Sequence, residues 1–397
     1  MTDHRSERIV GPIVAVTFFR LVLNTAKRFV YPFAPALSRG MGVSLGAVTS
    51  LIAVNQITSL LGLLAGPLSD RWGYRKMMVA GMGMLAAGML AAALFPLYAV
   101  VLVALFLAGL GKSILDPAMQ AWAGNRVPYR RRALVIGILE TSWASSTLIG
   151  IPLVAILMET CGWHSPFLVM GFLGVAGAVA LFVIIPKEKQ LPSPSDTKTW
   201  STLFGAYKQL VTSRVALGAL AYAFFVSAAN DNLFVVYGAW LENRFGVGLV
   251  ALGFGTSLIG VAELVGEGLT ATIADRLGLR RALFWGLLLT ICCYFALPLM
   301  DTTLTAALTG LALLFLSFEF TMVTSLSLGT ELLPVYRATM MASFLATAGL
   351  GRVVGALMGN AVWQSGGMVA TGVTSGGLTV VGMLCLMIGL KGWQHKP

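Results

Sequence analysis

Eleven ionisable side chains of this sequence stand inside long apolar stretches: the cations Arg20, Lys27, Arg28, Lys112 and Arg352, and the acids Asp116, Glu140, Asp231, Glu263, Glu267 and Glu319. A charge at the centre of a helix in hydrocarbon costs about 2.5 kcal/mol or more on insertion scales, so each needs a partner or a wet cavity. Their spacing is helical. Arg20, Asn24, Lys27, Arg28 and Tyr31 fall at i, i+4, i+7, i+8 and i+11, one continuous face. Lys112 and Asp116 stand one turn apart, where they can pair. Glu263 and Glu267 also share a face, and two close carboxylates in low dielectric should not both stay ionised, which is the setting for proton exchange. Six acids against five cations leave at least one acid without a dedicated partner. For Arg20 two readings stand together: its planar fork suits a bound carboxylate or phosphate, or it bridges to an acid of the eighth or tenth apolar run. Lys27 and Arg28, toward the end of their run, are placed to snorkel.

The elements that carry these residues follow from composition. Hydrophobic residues make up 57% and charged ones 11%, and the mean hydropathy is +0.84, far from the soluble balance of roughly a quarter charged. A membrane span needs about 20 mostly apolar residues. Twelve runs of that length are predicted: 9–34, 44–66, 77–95, 97–124, 133–157, 164–186, 214–241, 248–272, 282–300, 303–331, 338–361 and 368–391. Counted over the segments between them, 20 Lys and Arg fall on the side of both termini and two, Arg39 and Arg244, on the other, so both termini are expected in the cytoplasm. The opening mimics a signal peptide, with Arg5 and Arg8 before Ile9 to Phe19 and Ala34-Pro35-Ala36 after. Arg20, Lys27 and Arg28 interrupt it, which predicts a retained first helix.

Several functions are excluded on the same grounds. The net charge of +11 sits in short loops and is not interleaved with exposed aromatic residues, so no nucleic acid is expected. Cys161, Cys292, Cys293 and Cys385 lack metal or disulfide spacing, and His4, His164 and His395 lie at chain or helix ends. Gly42-Val43-Ser44-Leu45-Gly46 fits a hydrolase elbow but has no strand before it. Gly111-Lys112-Ser113 ends like a phosphate loop, yet the first glycine of that pattern would be Phe106. No enzyme, cofactor or metal is expected.

One stretch occurs twice. Gly66-Pro67-Leu68-Ser69-Asp70-Arg71-Trp72-Gly73-Tyr74-Arg75-Lys76 returns as Asp275-Arg276-x-Gly278-x-Arg280-Arg281, 205 residues later, and Asn125-Arg126-Val127-Pro128 is echoed by Glu331-Leu332-Leu333-Pro334 at 206. Two echoes at one offset imply two similar halves: 1–188, a linker 189–213, and 214–397. Leu191 to Asp196 of the linker reads as a solvated stretch, and Trp200, Leu203, Phe204, Tyr207, Leu210 and Val211 as a short helix on the membrane face. The glycines of the repeated stretch let helix ends approach, and Asp70 can cap the start of the next helix. The series Gly351, Gly355, Gly359 and the pair Gly62 and Gly66 allow close helix contact.

On these residues the chain resembles the major facilitator superfamily of secondary transporters, over essentially its whole length. The resemblance implies an all-α integral membrane fold of twelve transmembrane helices, arranged as two pseudo-symmetric six-helix bundles with a site between them at mid-membrane. It implies a cytoplasmic conformational latch at Gly66, Asp70, Arg71, Gly73 and Arg75, with Asp275, Arg276 and Arg280 in the second half. It also implies a cavity lined by the first, fourth, seventh and tenth helices, which matches the charges: helices 3, 6, 9 and 12 carry none. Asn125 stands where the family often has an acid beside the latch, while Glu331 keeps it. Helix 5 has Gly137, Gly150 and Pro152 but Ile151 where the exporters' proline would stand. The expectation is a monomeric carrier in the cell membrane, moving a small organic solute by alternating access with proton-coupled export. The alternatives are proton-coupled uptake of a small organic anion held by Arg20 and Lys112, or carriage of an amphiphile. Expected solute contacts are Arg20, Asn24, Lys112, Asn230, Asp231 and Glu319. Expected proton carriers are Glu263, Glu267, Asp116 and Glu140, each alternatively a fixed bridge between helices.

Overall fold

The computed structural model describes residues 4–126, 135, 138–139, 141–186, 209–333 and 337–393. Glu140 and the linker residues Lys198 to Lys208 lie outside them. The described residues are helical: α1 His4–Arg28, α2 Ala34–Met41, α3 Leu45–Trp72, α4 Tyr74–Leu94 and α5 Tyr98–Arg126. After α6 Thr141–Cys161 come α7 Ser165–Ile184, α8 Arg214–Phe234, α9 Tyr237–Phe245, α10 Leu249–Leu269, α11 Leu279–Ala296 and α12 Leu304–Leu332. The last stretch, Arg337–Gly389, is broken at Gly366 and Gly367 into α13 (337–365) and α14 (368–389).

Among the described residues nine helices are long and apolar enough to cross a membrane, or ten with the bent pair Ala34–Met41 and Leu45–Leu61. One of them, Met340–Gly389, has 50 residues, about 75 Å at 1.5 Å per residue, and its break makes it two crossings of a ~30 Å core. The 25-residue α1 overlaps the first predicted span.

The first predicted span, 9–34, is not one helix. It ends at Arg28, turns through residues 29–33 and resumes as α2. Pro32 supplies the cause, since it lacks an N–H and disfavours helix at Tyr31. The first helix of the second half breaks likewise, at Val235 and Val236, about 206 residues on. The long turns repeat at the level of single glycines. Gly42 (φ 67°) pairs with Gly246 (φ 64°), Gly73 (φ 90°) with Gly278 (φ 81°), and Gly162 (φ 90°) with Gly367 (φ 58°), at offsets of 204, 205 and 205. With φ 90° and ψ 141° at Gly73, and φ 81° and ψ 134° at Gly278, one residue reverses the chain in a region essentially closed to other residues. Asp70 falls in the last turn of α3, and the residue preceding α4 is Gly73.

Two compact units result, residues 1–193 with 248–257, and residues 194–247 with 258–397. Within the first, Gly81 of α4 and Gly111 of α5 meet backbone to backbone. A feature of α6 lies beside the charged face of α1: a π-helical turn spans Ser146–Gly150, with Gly150 closed down on Thr25. Pro152 cannot donate to the Leu148 carbonyl, and the Ser257 hydroxyl donates to it at 3.1 Å. Within the second unit, Gly351, Gly355 and Gly359 of α13 seat on the backbone of α8 at Phe224, Ala228 and Asn232.

Candidate functional site

Three helices of the first unit bring charges together. From α1, the buried Arg20 donates through Nε to Asp116 Oδ1 at 2.9 Å and through Nη2 to Oδ2 at 3.5 Å, the two-pronged geometry for which guanidinium is shaped. Its Nη1 donates to the Leu139 carbonyl at 2.7 Å and to Ser142 Oγ at 3.2 Å. From α5, Lys112 Nζ donates to Asp116 Oδ2 at 2.6 Å and to Asn24 Oδ1 at 2.6 Å. Asn24 Nδ2 closes the circuit by donating to Ser142 Oγ at 3.3 Å. The result is a ring: Asp116, Arg20, Ser142, Asn24, Lys112 and back to Asp116. Lys112 is the middle residue of the 29 in α5, so the ring lies at the mid-height of that helix.

Beside it stands Trp143, one residue past Ser142 on α6. The Arg28 guanidinium lies over its ring at 4.4 Å, and the Lys112 ammonium lies at 5.4 Å from the same ring, both within reach of the indole's negative face. Lys27 and Arg28 do not snorkel. Their exposures are 8% and 4%, because α1 ends at Arg28 and the turn after it carries the chain on through buried residues. Arg20, for its part, bridges to the acid of α5 in its own half.

In the second unit the acids are spread. Asp231 and Asn230 of α8 are buried. Their neighbour Asn232 donates to Ser375 Oγ at 3.0 Å and to the Thr371 carbonyl at 3.4 Å, fastening α8 to α14. Glu263 of α10 is buried and Glu267 half-buried. Gly266, between them, lies against Leu316, Glu319 and Phe320 of α12, so Glu319 faces the same helix contact. Arg352 on α13 is half-buried. Among the described residues no group of three acids, histidines or cysteines suits a metal ion.

The repeated turn is described only in part. The side chains of Asp70, Arg71 and Asp275 lie outside the described residues, as does that of Asn125. Arg75 stacks on Phe182 of α7, its guanidinium 4.1 Å from the ring centre, and Arg276 and Arg280 are exposed. Sequence reasoning passed over Ser142, Trp143 and the Leu139 carbonyl. The only signal for them was position: Ser142 and Trp143 follow Glu140 within one turn, but neither carries a charge to mark it.

The sequence profile of the Major Facilitator Superfamily matches residues 16–356. An MFS-type transporter of Bacillus subtilis, YceJ, is 25% identical over 283 residues, 70% of each chain. The 4-hydroxybenzoate transporter PcaK of Pseudomonas aeruginosa is 30% identical over 184 residues, 46% of this chain and 40% of that one. A solved structure of a peptide transporter, POT, superposes with a TM-score of 0.80 at 14% identity, covering 96% of this chain and 94% of that one.

Proposed function

The chain belongs to the Major Facilitator Superfamily, and from that premise we propose that it is a proton-coupled carrier of a small organic anion. That it is a membrane transporter follows from the family. The solute class is read from the ring around Asp116, the observation that carries the proposal. One carboxylate there serves two cations, Arg20 and Lys112. The spans of the first half hold Arg20, Lys27, Arg28 and Lys112 against Asp116 and Glu140, four minus two, a balance of +2. Those of the second half, apart from the end residues Arg214, Glu331 and Lys391, hold Arg352 against Asp231, Glu263, Glu267 and Glu319, one minus four, a balance of −3. An anion is drawn to the first set, and the carboxylates of the second can take up and release protons.

The ring suggests how solute and proton are linked. Asp116 occupies the place on Arg20 and Lys112 that a solute carboxylate would take, so an arriving solute competes with it for both cations, while the second-half carboxylates carry the proton. Trp143 offers a flat apolar face beside the charge for a planar or aromatic body. PcaK is named for such a carboxylate, while other relatives are named for amine transport and for efflux, so the reading rests on the charge balance and not on names. Export of the same solute class is the second reading, favoured by the π turn and Pro152 of α6, where the exporter pattern is partly present.

Purified protein is titrated with 4-hydroxybenzoate and, separately, with tyramine as a cationic aromatic of like size, and the shift in thermal unfolding is read. The carboxylate should stabilise and the amine should not; the reverse order would refute the anion assignment. In proteoliposomes with an imposed pH gradient, uptake of labelled 4-hydroxybenzoate should lose its gradient dependence in Glu263→Gln or Glu267→Gln. Unchanged gradient dependence in both would refute proton handling by that pair. The sign of the gradient that drives accumulation distinguishes uptake from export.

A further inference from the structure

A groove of about 310 Å³ opens between α11 and α14 of the second unit, with Arg280 and Arg281 at one end and Phe284, Trp285, Met383 and Met387 along it. We propose that it holds one anionic glycerophospholipid, its phosphate on the two arginines and an acyl chain along the apolar floor.

Its location is the first argument. α11 and α14 carry none of the buried charges, and their outer residues Trp285, Leu289, Leu384 and Ile388 are all exposed apolar groups, which in a membrane chain face lipid. Charge is the second: two adjacent exposed arginines at the end of such a helix sit where phosphates of the bilayer surface lie, and basic pockets between membrane helices favour anionic headgroups. Trp285, one turn from Arg281, is the residue type that settles at headgroup level.

The third argument comes from the other half. At the offset of 205 set by the paired glycines, Arg280 corresponds to Arg75 and Met387 to Phe182. In the first unit Arg75 stacks on Phe182, so the arginine is folded onto the ring that lines the equivalent position. In the second unit the ring is replaced by the thinner, flexible methionine, and the space is open. The same position thus holds an arginine–ring stack in one half and an open groove in the other.

The test is native mass spectrometry of the protein released from detergent after incubation with phosphatidylglycerol or with phosphatidylcholine. One retained phosphatidylglycerol is expected, about tenfold above phosphatidylcholine. Arg281→Gln should lower that retention several-fold, and Arg280→Gln/Arg281→Gln should bring it to the phosphatidylcholine level. Met387→Phe, which restores the ring of the first half, should lower retention of both lipids. Arg39→Gln, on the opposite side of the membrane by the loop charges, should change nothing. Inorganic phosphate at the lipid's concentration should not compete. Equal retention of the two lipids, full retention by the double variant or by Met387→Phe, equal loss in Arg39→Gln, or displacement by phosphate would each overturn the proposal. Elution of every variant as the wild-type species on size exclusion separates loss of lipid from loss of fold.

Discussion

Asp116 contacts both Arg20 and Lys112, so its removal takes a carboxylate from one buried and one half-buried cation. Breaking a buried pair from one side costs about 3 kcal/mol or more, and Asp116→Asn should lower the thermal unfolding temperature in detergent accordingly. Adding Lys112→Met should restore part of the loss, and a double-mutant cycle reads the coupling. Trp143→Ala should weaken 4-hydroxybenzoate binding about tenfold, in line with about 0.5–1.5 kcal/mol for an aromatic pair, while Trp143→Phe retains much of it, as binding isotherms will show. At this scale the sequence disclosed the charges, because a charge among apolar residues stands out. It did not disclose their partners. Arg20 meets Asp116 only through the rotation of α1 against α5, and Ser142 joins them through a hydroxyl that costs little in any helix.

Helix contacts in this protein are made where side chains are absent. A Cβ on Gly351 would lie 2.1 Å from the Phe224 carbonyl oxygen, whereas one on Gly377 would meet nothing within 4 Å. Overpacking of a rigid contact costs about 1–3 kcal/mol, so Gly351→Ala should unfold at a distinctly lower temperature and Gly377→Ala close to wild type. Gly73→Ala and Gly278→Ala should each cost about 1–3 kcal/mol, because both hold a backbone shape that alanine resists. Scanning calorimetry in detergent compares all four. Span positions were legible to a few residues, since bilayer thickness fixes a minimum apolar length. The break after Arg28, the one-residue reversal at Gly73 and the π turn were not: Pro32 and Gly73 suit a kinked span or a longer loop equally well, and the π turn depends on how a neighbouring helix satisfies a backbone carbonyl, as Ser257 does for Leu148.

Over the whole chain, the two-fold design was legible from the repeated turn, and the structure repeats it in helix breaks and in paired glycines. The compact units nevertheless divide the chain differently from the halves, since 248–257 of the eighth predicted span packs with the first. That assignment depends on side-on contacts that no linear pattern records. Topology is testable at this scale: a fluorescent protein fused after Pro397 should glow, and alkaline phosphatase inserted after Gly42 should be active, if the cation-rich side is cytoplasmic. An active phosphatase fused after Pro397 would reverse the orientation.

The glycine pairs also act as a ruler laid along the chain. At 204 or 205 residues, Arg20 corresponds to Phe224 or Phe225, Lys112 to Leu316 or Ser317, Asp116 to Phe320 or Thr321, Glu263 to Ser59 or Thr58, and Arg352 to Leu148 or Thr147. No membrane-embedded cation stands opposite a cation, and no acid opposite an acid; Lys27 opposite Asp231, at 204, is the one position charged in both halves. Elsewhere each half is a blank for the other: overlaying them cancels the scaffold and leaves what was added to it, the residue set from which a solute specificity could be rewritten without touching the frame.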